Sequence, residues 1–170
     1  SIFYFLYENI FIYKLLNITT IALCCIFFYK NLYLITKNKN ISFLSVVILL
    51  GSFQLRLWHD PIQGFHILLP LTTLLFLISI FCLQKYLILN KKFYLKYSFF
   101  SFVAMILHYE VTYSIILIYP LIFFIYKKKL IEAFKTLKNF IYFFLIIIFF
   151  TFLIRVYNYI FSKAVYSSLE

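Results

Sequence analysis

The sequence predicts an all-α fold, a polytopic transmembrane helix bundle, and three observations lead there. Of 170 residues, 65% are hydrophobic and only 12% are charged, against roughly 45–50% apolar in a soluble domain. The mean hydropathy is +1.00, and the apolar residues come in long runs. Lysines gather in the short stretches between those runs. Backbone groups inside lipid must pair within their own segment, so such runs are helices and not strands. A crossing takes about 20 residues, which leaves room for about five or six spans in a single integral membrane domain over 1–170.

The elements follow in order. Residues 2–13 form a short amphipathic piece, and residues 15–29 the first strong apolar stretch. Lys30, Lys37 and Lys39 follow it. The second stretch, 41–57, leads into a connection over 58–65 that carries no lysine. The third, 66–83, is followed by Lys85, Lys91, Lys92 and Lys96, and the long stretch 97–126 by Lys127, Lys128, Lys129, Lys135 and Lys138. A last stretch, 140–154, leads to Arg155, Lys163 and Glu170. By the positive-inside rule the three lysine-rich loops are cytoplasmic and the 58–65 connection is external.

This assignment forces a reversal inside 97–126. Both its ends carry lysine-rich loops, so it must leave and return on one side, and two perpendicular crossings would need about 40 residues. The expectation is a pair of short helices or a re-entrant hairpin turning near His108, Tyr109 and Glu110. Arg56, His59, Asp60, Gln63, His66, His108, Glu110 and Arg155 then share the external half, and Glu132 lies inside.

The formal charge of +11 would ordinarily suggest nucleic acid as a partner. Here the lysines sit in loops where they orient spans, which argues against nucleic-acid binding and leaves the lipid bilayer as the surrounding medium. An A/T-rich coding bias yields the same excess of Phe, Ile, Tyr, Asn and Lys, so the aromatic content carries little functional weight. Cys24, Cys25 and Cys82 fall inside apolar runs and read as small packing residues. The chain opens at Ser1 with no basic leader, from which a fragment or processed product of a longer protein is expected.

An ionisable side chain at mid-bilayer costs about 2.5–3.5 kcal/mol on insertion scales, so such groups face a cavity or a partner. Each polar group on the external side has a plain reading and a functional one. Arg56, at the end of a span, either snorkels to headgroups or binds a phosphate or carboxylate. His59 and Asp60, between Trp58 and Pro61, fit a solvated turn with an interfacial tryptophan. Gln63 suits a helix start, and His66 lies one turn inside it. His108 and Glu110 either close a helix turn by hydrogen bonding or form a base held and tuned by a neighbouring cation. Arg155 is a candidate partner or an interfacial residue. His59, His66, His108 and Glu110 show no metal-ligand spacing, so neither a metal nor another cofactor is expected.

The order of features resembles the EpsG-like (Wzy-type) polymerases of bacterial O-antigen, capsule and exopolysaccharide repeat units. Members show an Arg-Gln-x-x-Ala-like element opening an external span, a basic cytoplasmic loop, and an apolar run interrupted by a His. The matching residues are Asp60-Pro61-Ile62-Gln63-Gly64-Phe65-His66, then Lys91 and Lys92, then Ala104-Met105-Ile106-Leu107-His108-Tyr109-Glu110. Ile62 stands where the family often has Arg, and Glu110 where Ser is common. The resemblance covers residues 56–129. It implies a multi-pass protein of the bacterial inner (plasma) membrane that joins oligosaccharide repeat units carried on undecaprenyl pyrophosphate, alongside other polysaccharide assembly proteins. On that reading His108, assisted by Glu110 or Asp60, is the base, while Arg56, Gln63, His66 and Arg155 contact substrate. A transporter or flippase of lipid-linked sugars, or a non-catalytic membrane subunit, is the alternative.

Overall fold

A computed structural model describes residues 10–52, 68–108, 110–127 and 130–167. Six α-helices and one 3₁₀ helix make up this structure, with no strand among the described residues. They are α1 (Ile10–Thr36), α2 (Lys39–Ser52), α3 (Leu68–Leu89), α4 (Lys92–His108), the 3₁₀ helix η1 (Glu110–Leu117), α5 (Ile118–Lys127) and α6 (Leu130–Ser167). Stretches within three of them, Lys14–Thr36, Pro70–Leu89 and Phe134–Tyr157, are long and apolar enough to cross a membrane. Lys39–Leu50 and Ile115–Lys127 are apolar but shorter. The all-α expectation therefore holds, and the chain has the build of a membrane protein.

Several helices outrun the apolar stretches that announced them. The first continues from 29 to Thr36, the third from 83 to Leu89, and the last begins at Leu130 instead of 140 and ends at Ser167. Hydropathy falls where lysines begin, whereas helical hydrogen bonding does not; a lysine stem lies along apolar surface while its head reaches water. Lys30 and Lys85 show this, each with its ammonium 5.6 Å from the ring of the phenylalanine one turn back, Phe27 and Phe81. The expected stretch 41–57 is described only as far as Ser52, and most of 2–13 lies outside the described residues.

Two helix ends show why the chain turns where it does. Lys37 and Asn90 take left-handed φ values of 56° and 55°, and their amides donate to Tyr33 O at 3.0 Å and Tyr86 O at 2.7 Å, closing α1 and α3 with a single-residue cap. Asn38 then opens α2, its Oδ1 accepting from the amides of Asn40 at 2.9 Å and Ile41 at 3.3 Å. That is an N-cap joining two helices through two residues.

The helix directions can be read from pairwise contacts. Cys24 Sγ lies 3.4 Å from Pro70 O, and Asn31 Nδ2 donates to Leu77 O at 2.9 Å. The constant offset makes α1 and α3 parallel. Ser79 with Ser98, and Thr72 with His108, make α3 and α4 antiparallel. The rings of Phe102 and Tyr119 are 5.1 Å apart, so the chain reverses between α4 and α5. Phe140 meets Phe99, Phe102 and Tyr119, and Tyr113 meets Phe144 and Thr151, so α6 runs back alongside α4. The lysine-bearing ends of α1, α3, α4, α5 and α6 consequently share one end of the bundle, while His108 marks the other.

The core sits on the α3, α4, α5 and α6 side. Leu83, Phe102, Met105, Ile106, Tyr119, Leu137 and Phe140 are buried there, and Cys24, Leu74 and Leu77 form a smaller cluster between α1 and α3.

Candidate functional site

The end of the bundle opposite the lysines is built from the ends of α3 and α4. Thr72, in the first turns of α3, is buried, and its Oγ1 lies 2.9 Å from Nδ1 of the half-buried His108, the last residue of α4. Antiparallel packing brings them together: Ser79 and Ser98 set the register farther down, and the same register delivers Thr72 to His108. In the tautomer where Nδ1 donates to the threonine hydroxyl, Nε2 keeps a lone pair and can take a proton. Neutral imidazole with one nitrogen fixed is the arrangement a positioned base requires.

Of the residues expected beside it, Arg56, His59, Asp60, Gln63 and His66 lie outside the described residues. Glu110 opens η1 just beyond His108, on the expected turn. Arg155 is exposed on α6, one turn beyond Thr151, whose hydroxyl is 3.0 Å from the Tyr113 hydroxyl of η1; that puts it toward the His108 end. Among the described residues no group of three or more His, Cys, Asp or Glu could hold a metal ion.

Beneath this end lies a buried polar knot that no motif announced. Tyr119 Oη donates to Ser79 Oγ at 2.7 Å, Ser79 Oγ donates to Ser98 O at 2.7 Å, and Ser98 Oγ donates to Ser79 O at 2.8 Å. All three residues are at most 1% exposed. Small serines let the α3 and α4 backbones approach, the usual way helices associate when lipid removes the hydrophobic driving force between them. The knot ties three helices into the platform on which the Thr72–His108 pair stands. A signal for it was present, since Thr72 and Ser79 are seven residues apart on α3 and so share one helical stripe.

A second polar seam runs between α1 and α3. Asn31 donates to both Phe27 O and Leu77 O at 2.9 Å, while Asn17 and Gln84 are fully buried. Neither amide atom of Gln84 meets a hydrogen-bond partner. Comparison with family models, curated proteins and solved structures yields no match.

Proposed function

We propose that this protein is a membrane-embedded glycan polymerase that joins lipid-linked oligosaccharide repeat units at the end of the bundle opposite the lysines, in the bacterial inner membrane. The observation that carries the reading is His108, half-buried at the end of α4 and held at 2.9 Å by buried Thr72. The resemblance of residues 56–129 to EpsG-like polymerases supports it, as does the positive-inside rule, which turns the end with fewer lysines outward. The chemistry balances with residues of this chain. His108 takes the proton of an acceptor sugar hydroxyl, the hydroxyl oxygen bonds to the anomeric carbon of the donor, and the anomeric C–O bond breaks to release undecaprenyl pyrophosphate. Arg56 and Arg155 are the cations suited to the leaving pyrophosphate, since a guanidinium meets phosphate oxygens bidentately. Glu110 or Asp60 assists His108 in this role.

Replacement of His108 by Ala in the full-length protein is expected to abolish long glycan chains and leave single repeat units, read on a polysaccharide gel. Thr72→Val should shorten chains without removing them, because it frees the ring but keeps the base. Normal chain length in His108→Ala would remove the assignment.

The second reading, a carrier that moves lipid-linked sugar across the bilayer, is favoured by the partnerless buried amide of Gln84. The two part on the trapped species: a carrier defect strands substrate on the inner leaflet, a polymerase defect strands single units outside.

A further inference from the structure

Between η1 and α5 on one side and α6 on the other lies an open groove of about 230 Å³, lined by Leu117, Pro120, Phe134, Leu137, Ile141 and Leu145 among others. No polar atom lines it; the one polar side chain on its wall, Tyr119, turns its hydroxyl away to Ser79. Leu117, Phe134 and Leu145 are exposed along it, so it opens sideways toward lipid.

Its lower mouth is charged. Phe134 and Leu137 lie in the first turns of α6 at the lysine-bearing end. Lys138 is one turn above Phe134 and Lys127 two turns below Pro120, each in helical register with the residues lining the groove. Both lysines are exposed, as is Lys135; Glu132 is the acidic residue of the same first turn. An apolar slot about two to three turns long with cations at the headgroup end is complementary to one molecule class. Free phosphate has no use for the slot, and a zwitterionic lipid has no net charge for the lysines.

We infer that the groove between α5 and α6 binds one acyl chain of an anionic phospholipid, whose phosphate is met by Lys127 and Lys138. The site is independent of the glycan chemistry at the opposite end. It fixes α5, the returning arm of the fold-back, against α6 by filling the gap between them.

The test uses the full chain in mild detergent, offered an equimolar mixture of dioleoyl phosphatidylglycerol and dioleoyl phosphatidylcholine, with bound lipid counted by native mass spectrometry. Phosphatidylglycerol is expected to be retained at least tenfold over phosphatidylcholine. The double variant Lys127→Gln/Lys138→Gln should lose that preference about tenfold, while Lys91→Gln/Lys92→Gln, which removes equal charge from the α3–α4 loop, should keep it. Leu145→Trp, which fills the groove without touching charge, should lower retention of both lipids; Ile141→Phe gives the same reading with a smaller change of volume should the tryptophan variant not fold. Equal retention of the two lipids, equal loss in the two lysine pairs, or undiminished binding in the filled groove would overturn the proposal.

Discussion

Ser79 makes more of the tertiary structure than any apolar residue of its size could. It accepts from Tyr119 and exchanges hydrogen bonds with Ser98 at zero exposure. Hydrogen bonds between membrane helices average only about 0.6 kcal/mol in double-mutant cycles, so deleting the tyrosine hydroxyl should cost little. Deleting its acceptor is different, because it strands a buried hydroxyl, and that penalty is about 1–3 kcal/mol. Thermal unfolding in detergent should therefore rank Ser79→Ala well below Tyr119→Phe in stability. The double variant should cost less than the two singles added, since no orphan hydroxyl remains in it. Additive losses would show that the two side chains do not depend on one another. Little of this was legible from sequence, because a serine inside an apolar run has the same letter whether it faces lipid or a partner helix.

At the scale of elements, the return arm is the unusual part. Eight residues of 3₁₀ helix, Glu110–Leu117, precede α5, longer than the three or four residues at which such helices usually stop. Pro120 accounts for the boundary. Its nitrogen carries no proton, so the first turn of α5 cannot extend backward as α-helix through a hydrogen bond from that residue. Replacing Pro120 with Ala restores the donor, and hydrogen exchange over residues 110–117 should slow as the segment converts to α-helix. Unchanged exchange would mean that packing against α4 and α6, and not the proline, sets the 3₁₀ geometry. The sequence foretold the reversal within 97–126 from lysine placement alone, and the Phe102–Tyr119 contact shows it. It did not foretell the 3₁₀ helix, because apolar composition is the same for both helix types. The stop signals at Lys37 and Asn90 were also missed; a left-handed lysine gives no warning, though Asn is a known tenant of that conformation.

For the whole molecule, sharing of one end by the lysines of five helices makes a statement about sidedness that labelling can check. With Cys24, Cys25 and Cys82 replaced by Ser, single cysteines at Lys37, Lys91 and Lys127 should all resist a membrane-impermeant thiol reagent applied from outside intact cells, and one at Arg155 should react. Labelling of Lys91→Cys and Lys127→Cys from opposite sides would break the fold-back and with it the grouping of His108 with the external end. Architecture was the most legible layer, since hydropathy and charge act over tens of residues. The site was the least, because the residues expected around His108 come from several distant stretches and the tie that holds it, Thr72, belongs to no motif.

The Ser79–Ser98–Tyr119 knot also sets a timetable for biogenesis. Ser79 and Ser98 are neighbours in a helical hairpin and can pair as soon as α3 and α4 leave the insertion machinery. Tyr119 emerges later on the chain and meets a serine already committed to its partner, so the return arm docks onto a finished hairpin. A ribosome stalled just after α4 would thus leave α3 and α4 already paired through their serines, with the acceptor site on Ser79 filled only when the phenol of Tyr119 arrives with α5.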